Sequence, residues 1–232
     1  MTTRTERPVT TDHPICRNGL AGWATFLNRT ARSLNRIGAL TPTPVSSARR
    51  MAALINPQSD RTVVELGAGT GAISSQIGAR LGPGARHIAI EREPDLLAVV
   101  ARTAPWAERI HADAGALCDT LAEQGIATAD VVISSLPWGL FAVDQQHQIL
   151  DQVTQLLTDD GLFATIVLRP TRLTQRTRAF RASLRESFTD VTISPTLWRN
   201  FPPARLYVCR GPRRASSVED GSSAREGISP TE

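Results

Sequence analysis

Short apolar segments and longer amphipathic ones alternate along the chain. Stretches 63–66, 87–91, 110–113, 131–134, 162–168, 191–194 and 206–209 have the length and content of strands. Between them, apolar residues return at threes and fours over 46–54, 72–80, 94–103, 114–124, 145–157 and 174–187, the spacing of helices that bury one face. The punctuation agrees with this division. Asn56 and Pro57 stop the first helix, Pro94 and Asp95 start another, and Asp160 with Gly161 make a turn before the strand at 162. Alternation of this kind predicts an α/β fold, a mostly parallel sheet with helices on both faces. Ligands of such sheets sit at the carboxyl ends of the strands, near the point where strand order reverses.

The two ends break the rhythm. Residues 1–17 are polar and unpatterned, and 213–232 are rich in Ser, Gly and Glu, so both are expected to be disordered around an α/β domain over 45–212. Residues 18–44 are read as an amphipathic helix and a lid segment. Leu20, Trp23, Phe26, Leu27, Leu34 and Ile37 fall near helical spacing, with Arg29, Arg32 and Arg36 on another face. That pattern suits a helix packed on the domain body, and it also suits a basic helix at a membrane surface through residues 19–36.

Composition narrows the classes. Hydrophobic residues make up 41% of the chain, enough for a core, yet no run nears the ~18 apolar residues of a membrane span. The first residues lack the apolar region of a secretory signal, so the expectation is a cytoplasmic, at most membrane-peripheral, protein. The net charge of +4 is carried by arginine alone, for the chain has no lysine. Arginine binds phosphate and carboxylate through its planar fork, but the excess is modest and nucleic acid is not the expected partner. Cys16, Cys118 and Cys209 are too scattered for a zinc pattern; they read as reduced, non-catalytic thiols, and no metal is implied.

The chemistry-bearing stretch is VVELGAGTGAIS, residues 63–74. A strand runs into Gly67, Gly69 and Gly71 and then into a helix, a loop whose backbone can approach a nucleotide-type ligand closely. The spacing suits a dinucleotide and S-adenosylmethionine alike. Glu91, at the end of the next strand, would accept ribose hydroxyls from either. Glu65 separates the two. At the mouth of the loop it would repel a pyrophosphate, whereas the sulfonium and ammonium of S-adenosylmethionine favour an acid. Asp113 adds an acid after the third strand, where it suits either an adenine amino group or a helix cap.

This ordered set resembles a class I S-adenosylmethionine-dependent methyltransferase over residues 45–210. The resemblance implies a Rossmann-like, mostly parallel seven-stranded sheet that closes on an antiparallel C-terminal hairpin. It assigns the cofactor to Glu65, Gly67, Gly69, Gly71, Glu91, Asp113 and Ser134. The fourth strand then runs into Ser135, Leu136, Pro137 and Trp138, in the place where nitrogen methyltransferases carry a proline-containing loop. Methyl transfer is an in-line displacement, so the nitrogen lone pair must be aimed at the methyl carbon. Ser135 would aim it, Pro137 would stiffen the turn, and the Trp138 face would stabilise the cation. Such enzymes for nucleobases usually begin this loop with Asn or Asp; serine is a weaker orienting group and favours an alkylamine.

A narrower resemblance is to bacterial phospholipid N-methyltransferases, carried by IGALTPTPVSSARRMA (37–52), the Ser-Leu-Pro loop and WRNFPPARLYVCR (198–210). Gly38, Ala39, Pro42 and Met51 match that family's register, while Thr43 and Pro44 stand where it has two serines. The implied substrate is a primary aliphatic amine, either on a phosphatidylethanolamine-type headgroup or on a daptide-type ribosomal peptide. Arg169, Arg172, Arg176, Arg178, Arg181 and Arg185 suit a lipid phosphate, an acidic leader peptide or a solvated helix face. His111 and His147 are candidate bases, although proximity and alignment can suffice. Adenine N6-methylation of RNA and a non-catalytic binding module are the competing readings.

Overall fold

The computed structural model describes residues 43–57 and 61–214. The expected helix at 19–36, the lid up to residue 42 and the tail from 215 lie outside the described residues. A seven-stranded sheet organises the rest: β1 (Thr62–Leu66), β2 (Arg86–Glu91), β3 (Glu108–His111), β4 (Ala129–Ser134), β5 (Leu157–Leu168), β6 (Phe188–Ile193) and β7 (Ala204–Pro212). Their order across the sheet is β3-β2-β1-β4-β5-β7-β6. The first five run parallel, and β7 is antiparallel to both β5 and β6. Strand order reverses between β1 and β4, so the ends of these two strands open onto the crevice where such sheets bind ligands.

Among the described residues α1 (Val45–Ala52) precedes β1, and five helices connect the strands: α2 (Ser74–Gly78), α3 (Pro94–Thr103), α4 (Leu117–Ala122), α5 (Val143–Leu156) and α6 (Gln175–Ser187). Side-chain alternation along the strands splits the core in two. Val63, Val131, Ile133, Leu162, Ala164 and Leu206 pack with Ala48, Met51 and Ile77 of α1 and α2. Phe163, between Leu162 and Ala164, enters an aromatic group instead, stacked on Phe188 at 5.8 Å and edge-on to Trp138. β1 and β4 are buried along nearly their whole length, as parallel central strands must be when helices cover both faces.

Four local expectations change. The third strand is 108–111 rather than 110–113, an edge strand with exposed positions that pairs only with β2. The expected helix at 114–124 is split, because the Asp113 side chain accepts from the Gly115 backbone N–H at 2.8 Å and caps a short 3-10 turn, Ala114–Ala116, before α4. Asp160 and Gly161 are not a turn before β5 but a bulge within it: Ala129 pairs with Leu157, and Val131 already with Leu162. The last two strands are longer than 191–194 and 206–209, because each satisfies the other's backbone to the end of the hairpin.

Candidate active site

The glycine loop leaves β1 at the crevice. Gly67, Gly69 and Gly71 take φ of 74°, 57° and 78°, the left-handed region that side chains oppose. At Gly67 the reason is also steric. A Cβ there would stand 3.0 Å from the Leu136 side chain and 3.6 Å from Ser135 Oγ, so glycine lets the loops after β1 and β4 meet. Ser135 Oγ donates to the Gly67 carbonyl, and Ser135 N–H to the Leu66 carbonyl at 3.0 Å. At Gly69 the space is open, with only the Gly67 carbonyl within reach of a Cβ at 3.9 Å. That open side is the cradle a cofactor needs.

Glu91 is buried and fastens the end of β2 to this loop. Its Oε1 accepts from the backbone N–H groups of Arg92 and Glu93 at 2.8 and 3.0 Å, and its Oε2 accepts from Gly69 N–H at 2.8 Å. A carboxylate oxygen has two acceptor positions. Oε1 is therefore filled, while Oε2 keeps one position beside Gly69 for a ribose hydroxyl. Asp113 lies after β3 with its side chain half exposed. Oδ1 caps Gly115, and Oδ2 stands 3.8 Å from the Arg92 guanidinium. It serves as a cap, and its half-exposed side chain remains accessible to an amino donor. The residues present fit an adenosine cofactor.

Three sequence-expected residues sit differently from the reading. Glu65 is not at the mouth of the loop but sealed beneath it, with no solvent exposure. Its Oε2 accepts from Ser74 Oγ at 2.7 Å and lies 3.1 Å from His87 Nε2. Ser74 opens α2, so Glu65 supports the loop from behind. Ser134 is fully buried too, its Oγ accepting from Leu136 N–H and Trp138 Nε1–H, both at 3.2 Å. Its side chain holds the turn rather than a cofactor.

Trp138 is the largest revision. Only 1% of it is exposed, so neither ring face is open to an amine. It stacks on Phe180 at 4.3 Å and meets Phe141 and Phe163 edge-on. Its Nε1–H is shared between Ser134 Oγ and Thr165 Oγ1, the latter at 2.9 Å. Trp138 is thus an anchor pinning the loop 135–138 to β5 and α6. Pro137 behaves as expected. With φ −80° and ψ 67° it forms an inverse γ-turn closed by Trp138 N–H to the Leu136 carbonyl at 2.9 Å. Ser135 is half-buried at the lip, the one polar side chain of this loop left facing the crevice.

Gln146 was not anticipated. It is a buried polar residue on the apolar face of α5, and its Nε2–H groups donate to the carbonyls of Trp138 at 2.7 Å and Arg176 at 3.2 Å. It staples the loop after β4 to α6. Both candidate bases are held through Nε2. His111 Nε2 donates to the Arg92 carbonyl at 2.8 Å. His147 Nε2 bonds Ser183 Oγ at 2.8 Å, and that hydroxyl donates to the Ala179 carbonyl, so the histidine is the donor. Among the described residues no helix is long and apolar enough to cross a membrane.

The chain is similar to known proteins in sequence and in fold. Residues 63–161 match a methyltransferase-domain family. The ornithine lipid N-methyltransferase of Singulisphaera acidiphila is 32% identical over 193 residues, covering 80% of this chain and 94% of that protein. A TehB-like SAM-dependent methyltransferase from Corynebacterium glutamicum superposes with a TM-score of 0.54 at 15% identity, over 81% of this chain and 98% of the other. TrmN from Thermus thermophilus gives a TM-score of 0.54 at 18% identity over 72% of this chain, which spans 48% of that protein. The structural likenesses establish the fold. With the lipid enzyme's near full-length match, they place the chain among the class I S-adenosylmethionine-dependent methyltransferases, in the N-methyltransferase family of that relative.

Proposed function

We propose that the chain methylates the primary aliphatic amine of a lipid headgroup. The carrying observation is the state of Ser135. Its proton is committed to the Gly67 carbonyl, which leaves the oxygen lone pairs to accept an N–H from an amine in the crevice. An aliphatic amine, once deprotonated, is a strong nucleophile and needs only this aim, whereas the weakly basic amine of adenine needs more. The similarity to an ornithine lipid N-methyltransferase over most of both chains supports a lipid amine.

When bound, S-adenosylmethionine supplies a methyl group on a sulfonium, activated for displacement. The remaining work falls to the protein's own residues. Glu91 Oε2 and Asp113 hold the adenosine at the ends of β2 and β3, and the backbone at Gly69 leaves room for it. Ser135 accepts an amine hydrogen and so directs the nitrogen lone pair inward. Pro137, Trp138 and Gln146 hold Ser135 in place. Catalysis on this reading is mostly alignment.

The test is transfer of a radiolabelled methyl group into dispersed ornithine lipid, phosphatidylethanolamine and amine-bearing peptides. Label is expected in the lipid fraction. Ser135→Ala is expected to slow transfer about tenfold, the worth of one substrate hydrogen bond, while titration calorimetry still detects S-adenosylmethionine. Label confined to the peptides, or found nowhere, would overturn the reading.

A further inference from the structure

We propose that the face at the carboxyl end of β5, built from the 3-10 turn Arg169–Leu173 and the loop 194–203, docks on the surface of an anionic lipid bilayer. The proposal deepens the lipid reading above and rests on it for its purpose, not for its test.

Of the five large apolar side chains that the described residues expose, three lie here: Leu173 (76% exposed), Trp198 (68%) and Phe201 (74%). Water solvates such side chains poorly, and Trp and Phe on a rigid surface favour the headgroup boundary. The surface is rigid because the loop is folded around inward residues. Leu197 and Asn200 are buried, and Asn200 Nδ2 donates to the Pro202 carbonyl at 2.6 Å. Leu197 bridges to Ala204, and Arg205 Nε donates to Thr196 Oγ1 at 3.3 Å. With 197 and 200 held inside, Trp198 and Phe201 must face out. The turn joins the loop through Arg169 N–H to the Pro203 carbonyl at 2.6 Å, and the Arg169 guanidinium lies 4.9 Å from the centre of the Trp198 ring.

The charge selects the partner. Arg169, Arg172, Arg199 and Arg205 belong to these segments, and there is no Asp or Glu at 161–185 or 191–214. Arg169, Arg172 and Arg205 line one shallow recess with Tyr207, a place for a phosphate or carboxylate oxygen. Apolar side chains on segments whose only charged residues are arginines complement a bilayer of anionic lipid. The face also adjoins the catalytic loop. A Cβ on Gly139 would stand 3.1 Å from Thr171 Cβ, and Arg176 donates to the Leu140 carbonyl at 2.9 Å. Docking here sets headgroups at the end of the sheet where Ser135 lies.

The test is flotation of the full chain with vesicles of phosphatidylcholine, alone or doped with phosphatidylglycerol. Partition into the doped vesicles is expected. The double variant Trp198→Ala/Phe201→Ala should lower it about tenfold or more. Arg172→Gln should lower it roughly fivefold, the equivalent of about 1 kcal/mol for one basic residue at an anionic surface, and less in high salt. Thermal midpoints and S-adenosylmethionine titrations certify folding, and the single Trp198→Ala and Phe201→Ala variants stand in if the double one fails to fold. The proposal is overturned if the wild type ignores doped vesicles or if the variants partition as it does. It is equally overturned if they instead change self-association or binding of an acidic peptide. Methylation of a short-chain amine lipid dispersed as monomers separates the two readings. Labelled monomers with vesicle partition unaffected by the variants would sink docking alone. Face-dependent partition with no lipid ever labelled would sink the substrate reading alone.

Discussion

Trp138→Phe separates an anchoring tryptophan from a catalytic one. The phenyl ring keeps most of the contact with Phe180, Phe141 and Phe163 but removes the Nε1–H that Ser134 and Thr165 share. Leaving those buried hydroxyls without their donor costs about 1–3 kcal/mol. Trp138→Ala removes the ring as well, and a cavity of that size costs about 3–5 kcal/mol. Against a total of about 5–15 kcal/mol for a domain, the alanine variant is severely weakened and the phenylalanine variant moderately so. A ring that stabilised the methylated cation would behave otherwise, changing the rate by about 0.5–2 kcal/mol and leaving stability alone. The assay pairs urea denaturation with methyl transfer at saturating S-adenosylmethionine. The expected result for Trp138→Phe is a lower urea midpoint with kcat within about threefold of wild type, since the groups that face the crevice are untouched. A wild-type midpoint with transfer down tenfold or more would falsify the anchoring role.

Three further outcomes follow from the same geometry. Gly69→Ala places a methyl in the open cradle at φ 57°, and should weaken S-adenosylmethionine binding in calorimetry while costing only about 1–2 kcal/mol in stability; unchanged affinity would mean the cofactor lies elsewhere. Glu91→Gln turns an acceptor into an amide donor facing Gly69 N–H or the ribose, and should raise the dissociation constant at least tenfold, about 1.5–3 kcal/mol for a charged hydrogen bond. Burial, with Asp190 adding to it, pushes the Cys209 thiol up from 9.0 to about 12. Folding then holds a proton that the unfolded chain releases, so this contribution is complete below about pH 9 and is lost as pH rises toward 12. Urea midpoints should fall over that range, less steeply in Cys209→Ala, and an identical slope in the variant would refute the assignment.

What the sequence made legible lies where local rules suffice. Three glycines between a strand and a helix, and acids at strand ends, are tied to short backbone geometry, so the loop and the strand-end position of Glu91 are legible. Orientation across the sheet was hidden. Glu65 turns inward because Ser74 and His87, nine and 22 residues away, meet it there, and nothing near Glu65 announces them. Trp138 beside Pro137 reads the same whether its ring faces an amine or Phe180. Asp160 and Gly161 carry the letters of a turn, and only pairing with β4 makes them a bulge. Gln146 had a usable signal, a polar residue on the helix face shared with Ile149, Leu150 and Val153, which marks a side chain with backbone to satisfy.

The contact between Ser135 and Gly67 carries a thermodynamic consequence. On the proposed reading, the loop that receives the methyl donor and the group that orients the acceptor share a hydrogen bond, so a shift of either strains that bond. If filling one pocket tightens the other, linkage requires the converse by the same factor. The spent donor, which keeps the adenosine but has lost the methyl, holds the glycine loop through the same contacts. It should therefore compete for the enzyme most strongly when the amine substrate is already seated.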